Sequence, residues 1–321
     1  MPIHLTAAAD DDGRRLDRIL RKALGDTPLS AIHRQLRKGD VLVDGIKAAA
    51  DYRIRQGQTI TVNLSGLSIA GHSPAVKSLS GADLEILYEG EGLLVLNKPA
   101  GLLVHGRKSL QELVLSYLKE KLPPSLSFRP GPLHRLDRPS SGIIVFSTSL
   151  EGARFFSEMM HGRKIKKCYL ALVEGRIKKA ETWHDELVRD SRRKKTLVML
   201  PSEGGTKTAL TTVTPILGNG FCTMILAEIE TGRTHQIRAQ AGSRGHPLLG
   251  DRKYGASPAL ETRISVAAPF GLVESTFLLH AWRMEFPPPM PRLIEAPLPE
   301  EFQKKILELF GVDGRYIYGK V

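Results

Sequence analysis

The stretch Leu133-His134-Arg135-Leu136-Asp137-Arg138-Pro139-Ser140-Ser141-Gly142-Ile143-Ile144-Val145-Phe146 constrains this chain more than any other. Gly142 to Phe146 is a short apolar run rich in β-branched residues and bounded by turn formers, the pattern of a buried strand. Pro139, Ser140, Ser141 and Gly142 punctuate a turn just before it. Asp137 stands at that turn, flanked by Arg135 and Arg138. Guanidinium groups so near favour the charged carboxylate, and a positioned carboxylate can serve as a nucleophile. The same residues also fit a plain structural part, an aspartate that caps a turn or pairs with a surface arginine.

The chain has 321 residues, enough for two or three domains. With 41% hydrophobic and 25% charged residues it has a globular rather than a disordered composition. Apolar runs such as Gly92 to Leu96 are far too short to cross a bilayer. Residues 1–12 carry three consecutive acids and no basic-then-apolar signal pattern, so export is not expected and a cytoplasmic location is. Cys168 and Cys222 lie far apart without metal-ligand spacing and read as reduced core thiols. Lys plus Arg number 46 against 34 Asp plus Glu, a net charge of +12. That excess favours a polyanionic partner, nucleic acid first. An anionic membrane surface is set aside, because no basic amphipathic helix with large apolar residues is seen.

Residues 13–64 read as a small unit of their own. Leu16, Ile19, Leu20 and Leu24 recur at helical spacing, a second helix runs from Leu29 to Arg37 and stops at Gly39, and Val41-Leu42-Val43 precedes an Asp44-Gly45 turn. Asp-Gly between apolar runs signals a hairpin. Thr59 to Val62 is a last strand. Arg34, Arg37 and Lys38 lie close together on or just after one helix, where they suit either phosphate contacts or a solvated helix face. Residues 65–81, rich in Ser, Gly and Ala, read as a linker. The segment Arg15-Leu16-Asp17, Leu29-Ser30 and Arg37 to Gly45 resembles the RNA-binding domain first known from ribosomal protein S-four. That resemblance implies RNA contact through Arg34, Arg37 and Lys38. Where this domain often carries Arg after the helix-opening Ser, Ala31 stands here.

Residues 82–321 form the large domain in this reading. Leu84 to Tyr88 and Leu93 to Leu96 are strands, and Asn97-Lys98-Pro99-Ala100-Gly101 is a turn that places a cation at a strand end. On its own, Lys98 reads as a structural or phosphate-facing lysine. Leu110, Leu113, Val114, Tyr117 and Leu118 mark an amphipathic helix, and Leu150 to Met160 a second. Lys167-Cys168-Tyr169 opens a strand, and on spacing alone Tyr169 reads as a core tyrosine. Asp190 to Lys195 is a basic loop between strands. A dense polar motif, Glu230-Thr231-Gly232-Arg233-Thr234-His235-Gln236-Ile237-Arg238, is followed by Gly245 to Gly255, and the chain closes with a strand at Leu278 to Pro287 and a helix from Glu300 to Phe310.

His134 to Asp137 with its Ser-Gly turn and strand is similar to the central motif of the RluA-type RNA pseudouridine synthases. Asn97 to Gly101 matches that family's first motif, and Thr231 to Arg238 with Gly245 to Gly255 matches its third almost residue for residue. Gln240 replaces a usual His. The resemblance implies an α+β fold, built on a long, largely antiparallel mixed sheet flanked by helices. It further implies that Asp137 is the catalytic residue, ion-paired with Arg238, and that Tyr169 stacks on the target uracil and is a candidate for proton removal. Ile237 packs against the base, Arg135 fills the gap left in the RNA or contacts the displaced base, and Lys98, Arg233 and His235 belong to the RNA-facing set. A bidentate pair has the planar geometry for the Arg238–Asp137 contact. No metal, nucleotide or redox cofactor is implied. His105, His134, His235 and His246 invite a metal reading, which is rejected for want of a paired carboxylate or Cys pattern. RNA is the implied partner, with 23S ribosomal RNA ahead of transfer RNA, and a monomer is the expected state. Two other classes remain: a non-catalytic RNA-binding or ribosome-assembly factor on the same fold, and a glycosidase-type hydrolase, for which a second acid is missing.

Overall fold

The computed structural model describes residues 2–25, 27–63, 84–122, 125–199, 205–258, 277–314 and 317. The expected linker, 65–81, lies outside them.

At the N-terminal end, β1 (Pro2–Thr6), β2 (Val41–Val43), β3 (Ile46–Lys47) and β4 (Thr59–Asn63) form an antiparallel sheet in the order β1-β4-β2-β3. Helices α1 (Leu16–Ala23) and α2 (Leu29–Lys38) share one apolar core with it, built from Leu16, Ile19, Leu20, Ile32, Leu36, Val41 and Ile60. Asp44 and Gly45 both take positive φ, 49° and 78°, as a two-residue hairpin turn requires. Strand β1 lies ahead of residue 13. It pairs with β4 from Pro2↔Asn63 to Thr6↔Thr59, so the sheet reaches beyond the 13–64 segment.

The large sheet runs β11-β10-β12-β13-β9-β14-β8-β6-β5. Its strands are β5 (Ile86–Gly90), β6 (Leu93–Lys98), β7 (Gly131–Pro132), β8 (Ser141–Ser147), β9 (Lys166–Glu174), β10 (Glu181–Asp190), β11 (Lys195–Met199), β12 (Lys207–Gly218), β13 (Cys222–Ile229), β14 (Leu279–Glu285) and β15 (Leu293–Glu295), with β7 beside β8 and β15 beside β14. The pairing is largely antiparallel, while β14 joins β8 in parallel. Strand alternation separates two cores. Tyr169, Ala171 and Val173 of β9 face the larger one, with Ile143 and Val145 and with Val114 of α3 (Leu110–Leu118). Cys168, Leu170 and Leu172 face the other, against Phe302 and Ile306 of the C-terminal helix, Glu300–Phe310. Burial pushes the Cys168 and Cys222 thiols up to about 12 and about 11, which makes them inert core groups.

The parallel insertion of β14 positions the site. Ala281 faces Gly142 of β8 on one side and Tyr169 of β9 on the other. Gly142 sits at φ 103°, and a Cβ there would come within 2.2 Å of the Ala281 carbonyl oxygen. Only glycine meets both demands. The turn that carries Asp137 therefore enters β8 directly beside the strands that carry Tyr169 and Ala281.

Helix α4 (Leu150–His161) follows β8, capped by the Ser149 hydroxyl accepting from the Gly152 N–H. The motif that holds Arg238 contains α5 (Gln236–Ser243). Periodicity does not announce this helix, because residues 236–241 are all buried, polar and apolar alike. Its glutamines survive burial through hydrogen bonds. Gln240 accepts from Thr211 Oγ1 at 2.6 Å and donates to Trp183 O and Asp185 Oδ2 at 3.0 and 2.7 Å, so the residue standing where the family has His is fully engaged. The final helix is α6 (Glu300–Phe310).

The acid triplet near the N-terminus joins the small sheet to the large domain. Asp11, fully buried, accepts from the backbone N–H groups of Leu126 and Ser127 at 3.0 and 2.9 Å, and from the Ser125 and Ser127 hydroxyls. Asp10 Oδ1 accepts from the Leu150 N–H at 2.9 Å at the start of α4.

Candidate active site

Asp137 lies in the turn before β8 with its side chain 14% exposed. Arg238, in the first turn of α5, reaches it across a sequence separation of 101 and donates from Nη1 to Oδ2 at 2.6 Å. The pair expected from the motifs is therefore formed, but not in the expected way. Arg238 turns its bidentate edge to Asp251, donating from Nε and Nη2 at 2.6 and 2.9 Å, and gives Asp137 a single N–H. Asp251 is wholly buried and directly follows Gly250. Phe277 and Tyr254 lie over the guanidinium, at 4.3 and 5.0 Å from its carbon.

The second oxygen of Asp137 faces His235 Nε2 at 3.6 Å. His235 precedes α5 in the left-handed region, φ 53°. Its Nδ1 lies 2.8 Å from the Tyr254 hydroxyl, which in turn accepts the Thr196 N–H at 2.8 Å. The hydroxyl proton is then free for Nδ1, so this network assigns the remaining ring proton to Nε2, facing the carboxylate. Burial pulls His235 down to about 4 despite the opposing pull of Asp137, and Arg238, Arg189 and Lys253 add to the lowering. At neutral pH the ring is an uncharged donor.

Asp137 borders an open cleft of about 400 Å³, within the range of small-ligand sites. Arg135, Tyr169, Arg233, His235, Ile237 and Arg238 line it. Seven of the residues singled out from the sequence thus converge. Tyr169 is 7% exposed, and burial, then the nearby Asp137 charge, raises its phenol well above the usual tyrosine range. At neutral pH its hydroxyl is protonated, and its ring borders the cleft.

Lys98 does not reach the cleft. It is fully buried and donates to the carbonyls of Pro99, Leu102 and Arg138 at 2.8, 2.8 and 3.3 Å. Burial pulls it down to about 7, Asp137 opposes this, and the three acceptors match the three protons of an ammonium. Lys98 ties the first motif to the backbone next to Asp137. Arg34, Arg37 and Lys38 stand exposed on or at the end of α2, and none lines the cleft. His134 accepts the Val145 N–H at 3.0 Å and stacks on Phe156, with burial holding it neutral near 3. Among the described residues no group of three or more His, Cys, Asp or Glu converges as a metal site, and no helix is long and apolar enough to cross a membrane. Asp251 and Tyr254 were not singled out from sequence. Both lie in the Gly245 to Gly255 run, but only the fold turns that run back under α5.

Residues 92–243 match the family described as RNA pseudouridylate synthase. The chain is 33% identical to the ribosomal large subunit pseudouridine synthase C of Pasteurella multocida, over 94% of this chain and 91% of that protein. The protein of the same name from Escherichia coli is 30% identical over 94% of each. Among solved structures, human RNA pseudouridylate synthase domain containing 4 superposes with a TM-score of 0.57 at 22% identity, over 70% of this chain and 92% of that one. Human RNA pseudouridylate synthase domain containing 1 gives 0.54 at 25% identity, over 72% and 89%. The chain belongs to the RNA pseudouridylate synthase family, isomerases of uridine in RNA.

Proposed function

We propose that this protein converts specific uridines of large-subunit (23S) ribosomal RNA to pseudouridine, with Asp137 as the catalytic residue. The observation that carries the reading is the 2.6 Å contact from buried Arg238 to Asp137 at an open cleft lined by Tyr169 and Ile237. The relatives' names, ribosomal large subunit pseudouridine synthase C, support the choice of RNA. A net charge of +12 suits a polyanion.

In this reading, residues 13–64 act as an S-four-type RNA-binding domain joined to the catalytic domain, and Arg34, Arg37 and Lys38 take phosphates of the structured RNA. The target uridine flips out of its stack at the cost of a few kcal/mol. Its base seats between the Tyr169 ring and Ile237, a contact worth about 1–3 kcal/mol for a stacked base. Arg135, exposed at the mouth, occupies the vacated space, while Arg233 and His235 border the seat. Asp137, aimed by Arg238 and His235, initiates cleavage of the N1–C1′ bond. The uracil turns in place, C5 bonds to C1′, the C5 proton leaves and N1 regains one. The protein works as a monomer in the cytoplasm, without metal or cofactor.

The test is pseudouridine mapping of total RNA by carbodiimide adducts and primer extension, from cells with and without the gene. Loss of discrete large-subunit sites, restored by wild type but not by Asp137→Asn, is the expected result. Restoration by Asp137→Asn overturns the assignment of Asp137. Lost sites confined to transfer RNA overturn the substrate.

A further inference from the structure

Lys167, the second residue of β9, lies on the same face as Tyr169, two residues and about 6.6 Å along the strand. The residue is only 5% exposed, yet among the described residues no carboxylate, carbonyl or hydroxyl takes its ammonium. Apolar residues oppose it on both neighbouring strands, Ile229 on β13 and Met284 on β14. Lys167 Nζ is not among the fully enclosed unpaired polar atoms, so the stem is buried while the ammonium opens outward, the arrangement of a lysine that presents its charge to a ligand.

The ammonium reaches the loop that leads from β13 to His235. Nζ lies 3.8 Å from where a Cβ on Gly232 would stand. The next residue, Arg233, lines the cleft and is held by its Nε donating to Thr208 O at 3.0 Å. Arg233 acts on Lys167 as a like charge and, after burial itself, pulls it down to about 8. The acid nearest this loop, Glu230, is taken by Arg163 at 3.3 Å. Two cations thus converge at the edge of the cleft, and among the described residues no anion stands between them.

We infer that Lys167 and Arg233 form a seat for an RNA backbone phosphate adjoining the nucleotide that stacks on Tyr169. The seat rests on the reading of the cleft as the uridine site. It gives Lys167 the counter-charge that the protein withholds. Arg233 offers a fork and Lys167 a point charge, the two complementary ways of holding phosphate. Gly232 leaves open the ground between Lys167 Nζ and the loop backbone.

The full-length protein is tested on unmodified large-subunit ribosomal RNA transcript, comparing wild type with Lys167→Met, Lys167→Arg and Arg233→Gln. Lys167→Met should raise KM five- to twenty-fold with kcat within two-fold, and lower the slope of log Kd against log salt by about 0.7–0.9, one phosphate contact. Lys167→Arg should restore most of the affinity, and the Lys167→Met and Arg233→Gln losses should be less than additive. A neutral methylphosphonate beside the target uridine, in a short RNA spanning it, should weaken wild type and leave Lys167→Met unaffected. If Lys167→Met keeps the wild-type KM and salt slope, or if kcat falls at unchanged KM, the seat is refuted. An inactive wild type refutes the underlying reading instead.

Discussion

Arg238 gives Asp251 two hydrogen bonds and Asp137 one, so the buried Asp251 fixes the plane of the guanidinium that aims the cleft-facing carboxylate. Asp251 has no access to the cleft, while Asp137 has. A single cation held rigidly by one acid can present a further N–H to another without turning away from it.

Asp251→Asn keeps the shape but removes the charge that anchors Arg238. Turnover should fall by about two orders of magnitude, the loss expected when a positioned group is let go by about an ångström, with RNA binding changed less than three-fold. Asp251→Ala should in addition destabilise the fold by about 3–5 kcal/mol, because it leaves Arg238 buried with half its partners gone. Tritium release from C5-labelled RNA, beside thermal melting, separates the two effects. Asp251→Asn with wild-type turnover would show that Asp137 needs no such anchor.

Gly142→Ala should cripple the protein more than changes at exposed turns. The added methyl meets the Ala281 carbonyl at 2.2 Å, and the φ of 103° is closed to alanine, so strand β14 must part from β8. A loss of at least about 3 kcal/mol is expected from the clash and strain together. Gly106→Ala, at φ 97° but with nothing within 4 Å, isolates the conformational part. Denaturant midpoints for both variants check this, and equal losses would remove Ala281 from the account.

How much of this was legible beforehand follows from what is local. The strand after Asp137, the helix at 110–118 and the Asp44-Gly45 hairpin each carry their signal within a few residues. The meeting of Asp137 with Arg238 carries none: it follows only from the family resemblance, since the two are 101 residues apart. Helix α5 escaped pattern reading because Gln236 and Gln240 are as buried as Ile237. Their side-chain hydrogen bonds replace the polar face that amphipathic periodicity presupposes. Nothing local marks Asp251, which only the fold lays beneath Arg238, and strand β1 is a short, half-exposed alternation in front of three acids.

Acid should weaken the fold through His280. This ring is wholly buried, accepts from Ser141 Oγ on Nδ1 at 2.8 Å and donates from Nε2 to Ala296 O at 3.2 Å, and burial lowers it to about 4. The unfolded chain binds this proton from about pH 6.5, the folded chain only near 4, so stability falls as pH drops through that window. By pH 5 the loss is about 2 kcal/mol from this histidine. Melting temperatures at pH 7.5 and 5.0 should show it, and His280→Gln should flatten the dependence. An unchanged slope in that variant would assign the acid sensitivity elsewhere.

Asp11 supplies the last prediction, because it sets how the small sheet and the cleft stand to each other. Its carboxylate gathers donors from Ala8, Ser125, Leu126 and Ser127, and Arg14 adds a contact to Ser127 Oγ at 2.9 Å. Asp11→Ala removes the acceptor of the half-buried Leu126 N–H and leaves the buried Ser127 N–H with only the Ser125 hydroxyl at 3.3 Å, a loss of about 1–3 kcal/mol. The large sheet keeps its own cores, so the variant should stay folded while the small unit loses its fixed position. On the proposed reading, in which Arg34, Arg37 and Lys38 take RNA phosphates, a released unit would keep those contacts but no longer present the target uridine at a set distance from Asp137. Modification of full-length ribosomal RNA should slow at least ten-fold, while a short stem-loop spanning the target site is turned over as by wild type. Hydrogen exchange at residues 125–128 should rise in parallel. Equal slowing on both substrates would mean that Asp11 supports the catalytic domain itself rather than the docking of the small one.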